Sequence, residues 1–140
     1  MKEKLEKLLD NAYAPYSNYH VSSIVVMKDG SEFSGVNYEN ASFGSTICAE
    51  RNAIGTAITS GYTKGEFKEI YVMTDNINAD DSKERPGACC FACRQVFVEF
   101  CDKNVLVVCM NKLGEEKRYT VEELCPYPFD ESDLKWKVDL

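Results

Sequence analysis

Cys48-Ala49-Glu50, followed downstream by Cys90-Phe91-Ala92-Cys93, supplies three candidate thiolate ligands and a carboxylate two residues past the first of them. A structural zinc site closes its tetrahedron with a fourth Cys or His, whereas three protein ligands leave one position for water, as catalytic zinc sites do. Glu50 would sit beside that position, where a carboxylate can move the protons of the water. A lone C-x-x-C is shared by redox and structural zinc motifs. Its combination with C-A-E carries the signal, because a thioredoxin-like dithiol has no use for Cys48 or Glu50.

Three thiolates around one divalent ion leave the site with net negative charge, which weakens its power to acidify bound water. Arg51 and Arg94, each adjacent to a motif residue, are the cations available to offset this. Arg51 is the favoured one, by hydrogen bonding to a thiolate sulfur.

The elements that must position these groups alternate along the chain. Leu5, Leu8, Leu9 and Ala12 recur at helical spacing and predict an amphipathic helix over 2–11, ending near Pro15. A β-branched run from His20 to Met27, the turn signal Asp29-Gly30 and a returning segment from Glu32 to Asn37 predict an antiparallel pair. A helix from Cys48 to Ser60 stops at Gly61. A strand at 69–74, a polar loop from Asp75 to Gly87, a helix over 91–100 and strands at 105–110 and 117–120 complete the pattern. Both cysteine groups then open helices, where exposed N–H groups favour thiolate over thiol. The expected fold is α/β, a mixed sheet of about five strands covered by helices on both faces in a three-layer α-β-α sandwich, with residues 1–140 as one domain.

Composition narrows the class of partner. Sixteen basic against 23 acidic residues give a net charge of −7, and no Lys/Arg cluster stands out. The electrostatic term that drives polynucleotide binding is missing, so a small neutral substrate fits better. No apolar run approaches the roughly 20 residues of a membrane span. The N-terminal MKEKLEKLLD lacks the apolar stretch of a signal peptide. A cytoplasmic protein is expected, in which seven cysteines are not a disulfide framework. Cys101, Cys109 and Cys125 sit on apolar segments and read as core residues; His20, the single histidine, reads as a strand-end surface residue.

These motifs resemble those of the small, three-cysteine, homotetrameric cytidine deaminases of pyrimidine salvage. The resemblance runs through Ala14-Pro15-Tyr16-Ser17, Asn37-Tyr38-Glu39-Asn40-Ala41, Cys48-Ala49-Glu50-Arg51, Cys90 to Gln95, and Thr120 to Leu124 with Pro126 and Phe129. It implies one zinc per chain on Cys48, Cys90 and Cys93, and hydrolysis of cytidine or deoxycytidine at C4 to uridine or deoxyuridine plus ammonia. Glu50 would take a proton from the attacking water and return protons to N3 and the departing amino group. The same resemblance assigns substrate contacts to Asn37, Glu39, Tyr19, Ala49 and Phe129. Asn37 and Glu39 would hold the sugar hydroxyls, Tyr19 stands where the family usually has a Phe that packs on the pyrimidine, and Phe129 matches an aromatic that reaches into a neighbouring subunit's site.

The chain departs from the family inside the zinc motif. Phe91 replaces a Gly between two ligands, and Cys89 replaces a Pro, creating a rival ligand one residue from Cys90. Phe91 is strained if the backbone needs positive φ; if this is an ordinary helix start, its ring must find space in the core, the pocket or a subunit interface. Ser22 and Ser23 stand where the family favours Gly and Ala. Two other readings remain open: a deaminase of a modified cytosine nucleoside such as a blasticidin-type antibiotic, against which Asn37 and Glu39 count, and a catalytically silent zinc-binding module. Ribose against deoxyribose preference is not legible in the sequence.

Overall fold

A computed structural model describes residues 1–79 and 85–134. Five strands, β1 (Tyr19–Met27), β2 (Glu32–Val36), β3 (Phe67–Asn76), β4 (Leu106–Asn111) and β5 (Glu116–Thr120), form one sheet in the order β2-β1-β3-β4-β5. The β3–β4 pair is parallel and the others are antiparallel. Helix α3 (Phe91–Phe100) makes the crossover that a parallel pair requires, and α2 (Ala49–Thr59) connects β2 to β3.

Helices cover both faces, so the expected mixed sheet and three layers are present. On one face Ala53, Ile54 and Ala57 of α2, Phe97 of α3, and Val121 and Leu124 of the one-turn helix α4 (Val121–Leu124) pack on Val25, Ile70, Val72 and Val107. On the other, Leu5 and Leu9 of α1 (Lys2–Leu9) meet Ile24, Met73 and Val108. Ser22 and Ser23, both fully buried, are satisfied by the carbonyls of Leu5 and Tyr71 at 2.8 and 2.9 Å. The hydroxyl of Ser22 thus ties α1 to β1.

Boundaries differ from the expected ones for physical reasons. β3 runs beyond 69–74 at both ends because β1 pairs with it from Tyr19↔Asn76 to Met27↔Phe67. Asp75 and Asn76 are therefore strand, while the part of the expected polar loop at 80–84 lies outside the described residues. The first helix stops at Leu9. α4 was not expected, although its signal was present: the Thr120 hydroxyl accepts from Glu123 N–H and the Glu123 carboxylate accepts from Thr120 N–H, a capping box. Cys101 and Cys109 are core residues as expected, but Cys125 is only half-buried just after α4.

Two glycines set the position of α2. Gly61 has φ +101°, and the Tyr62 and Gly61 N–H groups donate to the carbonyls of Ala57 and Ile58, a Schellman termination. At Gly35 of β2 the helix comes so close that a Cβ would lie 2.5 Å from Ala53 N and 2.7 Å from Ala49 O. Backbone atoms on both sides cannot yield as side chains do. Gly35→Ala is expected to lower unfolding free energy by about 3 kcal/mol or more, read by urea denaturation; a loss below about 1 kcal/mol would show that α2 can be displaced at little cost.

Candidate metal centre and active site

Cys48 and Cys90 are the N-cap residues of α2 and α3, with extended backbones at φ −75° and −68°. Each carbonyl accepts the first helical bond, from Asn52 and Arg94 N–H at 3.0 Å, which sets both thiols at helix N-termini, where first-turn N–H groups lack intrahelical partners. Cys93 lies one turn into α3 and is fully buried. The Sγ of Cys90 is 3.7 Å from that of Cys48 and 3.5 Å from that of Cys93, and all three sulfurs lie within 4.8 Å of one another. A tetrahedron with Zn–S bonds of about 2.3 Å has S···S edges of about 3.8 Å. The three cysteines fit zinc, and they are the trio expected from the spacing.

Cys89 does not join them. Its side chain turns into the core, buried at 3% exposure and neighboured by Cys109, so the rival-ligand reading gives way to Cys90. Phe91 is the first residue of α3, with no positive φ. Its ring enters neither core nor cavity but projects outward, 73% exposed, with the Arg94 guanidinium 4.4 Å from its centroid.

The two candidate cations separate clearly. Arg94 is occupied with backbone carbonyls, donating from Nε to Cys89 at 2.8 Å and from Nη1 to Leu124 at 2.9 Å. Arg51 Nη2 donates to Cys48 Sγ at 3.4 Å. Among the described residues, its buried Nε has no hydrogen-bond partner. A hydrogen bond from the Cys93 thiol, with that from Arg51, pulls the Cys48 thiol down to about 5 against its burial. Cys93 moves the other way, raised by sharing its proton with Cys48 and by burial. Arg51 is itself driven upward by the Cys48 sulfur.

Glu50 is the second residue of α2, in its first turn, with only 4% exposure. Burial is the main force raising its carboxyl above the ordinary range, and the nearby Cys48 charge adds to it. The thiols of Cys89 and Cys93 oppose the rise by hydrogen bonding. A carboxylate shifted toward neutrality beside a metal trio is suited to accept and return a proton.

A cavity of about 150 Å³ opens onto this trio, lined among others by Tyr19, Asn37, Glu39, Cys48, Glu50 and Cys90. Asn37 and Glu39 lie just past β2 in a segment bridged through Tyr38 to Tyr13 and Ile47. The Asn37 side chain accepts from Val21 N–H at 2.9 Å and donates to the Tyr19 carbonyl at 2.8 Å. Glu39 accepts from the N–H groups of Tyr16 and Ser17 at 2.9 and 3.1 Å and from the Ser17 hydroxyl. Desolvation is the largest single influence and raises the Glu39 carboxyl, but the Ser17 hydroxyl and the Tyr16 and Ser17 N–H groups together outweigh it, so the net shift is downward. Two residues expected at the substrate do not line this cavity: Ala49 is fully buried, and Phe129 is 60% exposed, with its carbonyl accepting from Gln95 Nε2 at 2.8 Å. Thr74, Thr46 and Ala88 line the cavity and were not singled out from the sequence. For Thr74 the available signal was its place at the C-terminal end of a parallel strand, where α/β sheets bind ligands.

A three-thiol cluster fit for a metal ion, with a buried carboxylate beside it at two helix N-termini on a mixed sheet, fits a metal-dependent hydrolytic enzyme class. The comparisons give the family. Residues 1–109 match the cytidine and deoxycytidylate deaminase zinc-binding region. A cytidine deaminase of Halalkalibacterium halodurans is 39% identical over 125 residues, covering 89% of this chain and 88% of the relative. One from Sporosarcina psychrophila is 34% identical, covering 96% and 92%. The crystal structure of cytidine deaminase from Burkholderia pseudomallei superposes with a TM-score of 0.82 at 38% identity, covering 91% and 94%. The chain belongs to the cytidine and deoxycytidylate deaminase family.

Two outcomes follow for the metal centre. Cys93→Ser should reduce zinc from one ion per chain to below about 0.2, measured by atomic emission after dialysis; full loading would remove Cys93 from the ligand set. In the zinc-free protein, Glu50 has a raised carboxyl, so the folded state holds that proton longer than the unfolded one. Its stability contribution falls as pH rises from the unfolded value through the folded one. Glu50→Gln should therefore raise the zinc-free Tm at pH 7 by about 2–4 °C or more and flatten this decline; an unchanged pH profile in thermal melts would disprove it.

Proposed function

We propose that this chain hydrolyses cytidine and deoxycytidine to uridine and deoxyuridine, releasing ammonia, with residues 1–140 acting as one catalytic domain. The observation that carries this reading is buried Glu50, two residues beyond Cys48, bordering both the thiol trio and the cavity. Zinc, when held by Cys48, Cys90 and Cys93, would supply the Lewis acidity that makes water a stronger nucleophile. Glu50 takes one proton from the water that attacks C4 and passes it to N3, then takes the second from the resulting C4 hydroxyl and gives it to the amino group, which leaves as ammonia as the C4 carbonyl forms. The reaction consumes one water and liberates one ammonia. Arg51 draws charge from the Cys48 sulfur and limits the excess negative charge of three thiolates.

Asn37 and Glu39 hold the sugar. An amide oxygen accepts two hydrogen bonds and its NH₂ donates two; with one of each used within the chain, Asn37 retains capacity toward a hydroxyl. Glu39 exchanges a bond with the 16–17 loop for one with the ligand. Tyr19 forms the wall against the pyrimidine, and Ala49, fully buried, would meet the base through its backbone rather than its methyl group.

The assembly we propose is a homotetramer in which Phe129 of one copy closes the site of another. The cavity of about 150 Å³ is smaller than the ~300–1,000 Å³ of self-contained ligand sites. Phe43, Phe91, Tyr127 and Phe129 are each at least 60% exposed, apolar surface that a second copy would cover. No described helix is long and apolar enough to cross a membrane. A cytoplasmic role in pyrimidine salvage accords with the small nucleoside substrate.

Purified protein mixed with cytidine, deoxycytidine or cytosine should show the ultraviolet change of deamination with both nucleosides and little with the free base. Zinc-loaded protein inert toward all three would refute the assignment. Glu50→Gln should lower kcat by at least about 10³-fold while zinc stays bound; near-normal turnover would take the proton-transfer role from Glu50. Light scattering should give four chains per particle, and an active monomer would remove Phe129 from the site.

A further inference from the structure

We propose that Gly87 is a positioning residue that sets the pyrimidine-facing wall by making room for the hydroxyl of Tyr19, a proposal that rests on the nucleoside-site reading above. An ideal Cβ at position 87 would overlap the Tyr19 hydroxyl, and would lie 2.8 Å from Thr74 Cγ2 and 3.0 Å from Thr74 Oγ1. The backbone at Gly87 is not left-handed, so conformational preference does not demand glycine there. Space does.

The surrounding contacts hold the ring at both ends. At its base, Tyr19 N–H donates to Ser17 Oγ at 3.0 Å and its carbonyl accepts from Asn37 Nδ2 at 2.8 Å. At its tip, the hydroxyl fills the volume above Gly87. Gly87 is itself fixed, because its N–H donates to buried Thr74 Oγ1 at 2.9 Å. Thr74 pairs with Val21 across the β1–β3 ladder, so strand register links the two sides. Tyr19, Val21 and Thr74 all line the cavity at the metal trio, as does Ala88, the residue after Gly87.

The three atoms nearest to a methyl group at position 87 all belong to side chains, those of Tyr19 and Thr74. The Tyr19 ring yields before backbone does, swinging at the cavity wall while the Cys48, Cys90 and Cys93 sulfurs stay together. Binding of the base suffers and the metal remains.

A double-variant cycle tests this on the zinc-loaded full chain. In the wild-type background, Gly87→Ala should raise KM for cytidine by at least about tenfold, with kcat within about threefold and zinc at one per chain. In the Tyr19→Phe background, which removes the obstructing oxygen, the same change should cost less than about threefold in KM. Equal losses in both backgrounds, or an unaltered KM in Gly87→Ala, would overturn the proposal. Should Gly87→Ala fail to fold alone, recovery of a cooperative melt in the Tyr19→Phe background supports the contact, and failure in both refutes it. A working wild type with an additive cycle sinks the wedge alone. A wild type inert toward both nucleosides removes the underlying reading, and the proposal with it.

Discussion

Helix α2 rests on a strand position that has no side chain. With 2.5 Å between a hypothetical Cβ of Gly35 and Ala53 N, the first turns of the helix are held at backbone distance from β2. Asn52 adds a side-chain bond to the Val36 carbonyl at 3.0 Å. The first turn carries Glu50, and its N-cap is Cys48. Metal geometry is sensitive to tenths of an ångström, so a helix seated on backbone is a firmer base for a ligand than one seated on rotatable side chains.

Two helices then meet N-terminus to N-terminus over one small volume. Each brings a cap cysteine and unpaired N–H groups, and their positive ends favour anionic sulfur. Arg51 adds a cation in the same turn as Cys48, through a contact of 3.4 Å, which favours the Cys48 thiolate further while offsetting its charge. Glu50, enclosed beside this negative cluster, is pressed toward its neutral form. One local arrangement therefore sets two protonation states in opposite senses, an anionic sulfur and a proton-holding carboxylate.

The parts of the site that were legible in the sequence are those fixed by local covalent spacing. Cys48, Glu50 and Arg51 occupy successive positions at one helix start, and Cys90 and Cys93 are one turn apart, so their relative placement follows from helix geometry. Gly61 was readable as a helix stop for the same reason. Non-local relations were not readable. Asn37 looked like the last residue of a strand, yet β2 ends at Val36 and the Asn37 amide clamps β1 through Val21 and Tyr19. The rivalry between Cys89 and Cys90 was settled by the N-cap: the residue before it faces the core and the cap itself faces the sulfurs of Cys48 and Cys93. The reason for glycine at position 87 lies in the tip of a tyrosine on another strand, and no local pattern announces it.

Cys48 and Cys90 are separated by 42 residues, a stretch containing α2 and β3. An ion held between them closes that stretch into a ring. The fold already brings the two sulfurs to 3.7 Å, and an ion that binds this trio but not the unfolded chain adds its binding free energy to folding stability only while it stays. The ion required for chemistry is thus also a detachable crosslink. Cellular zinc supply would govern how long the folded chain survives as well as how fast it works.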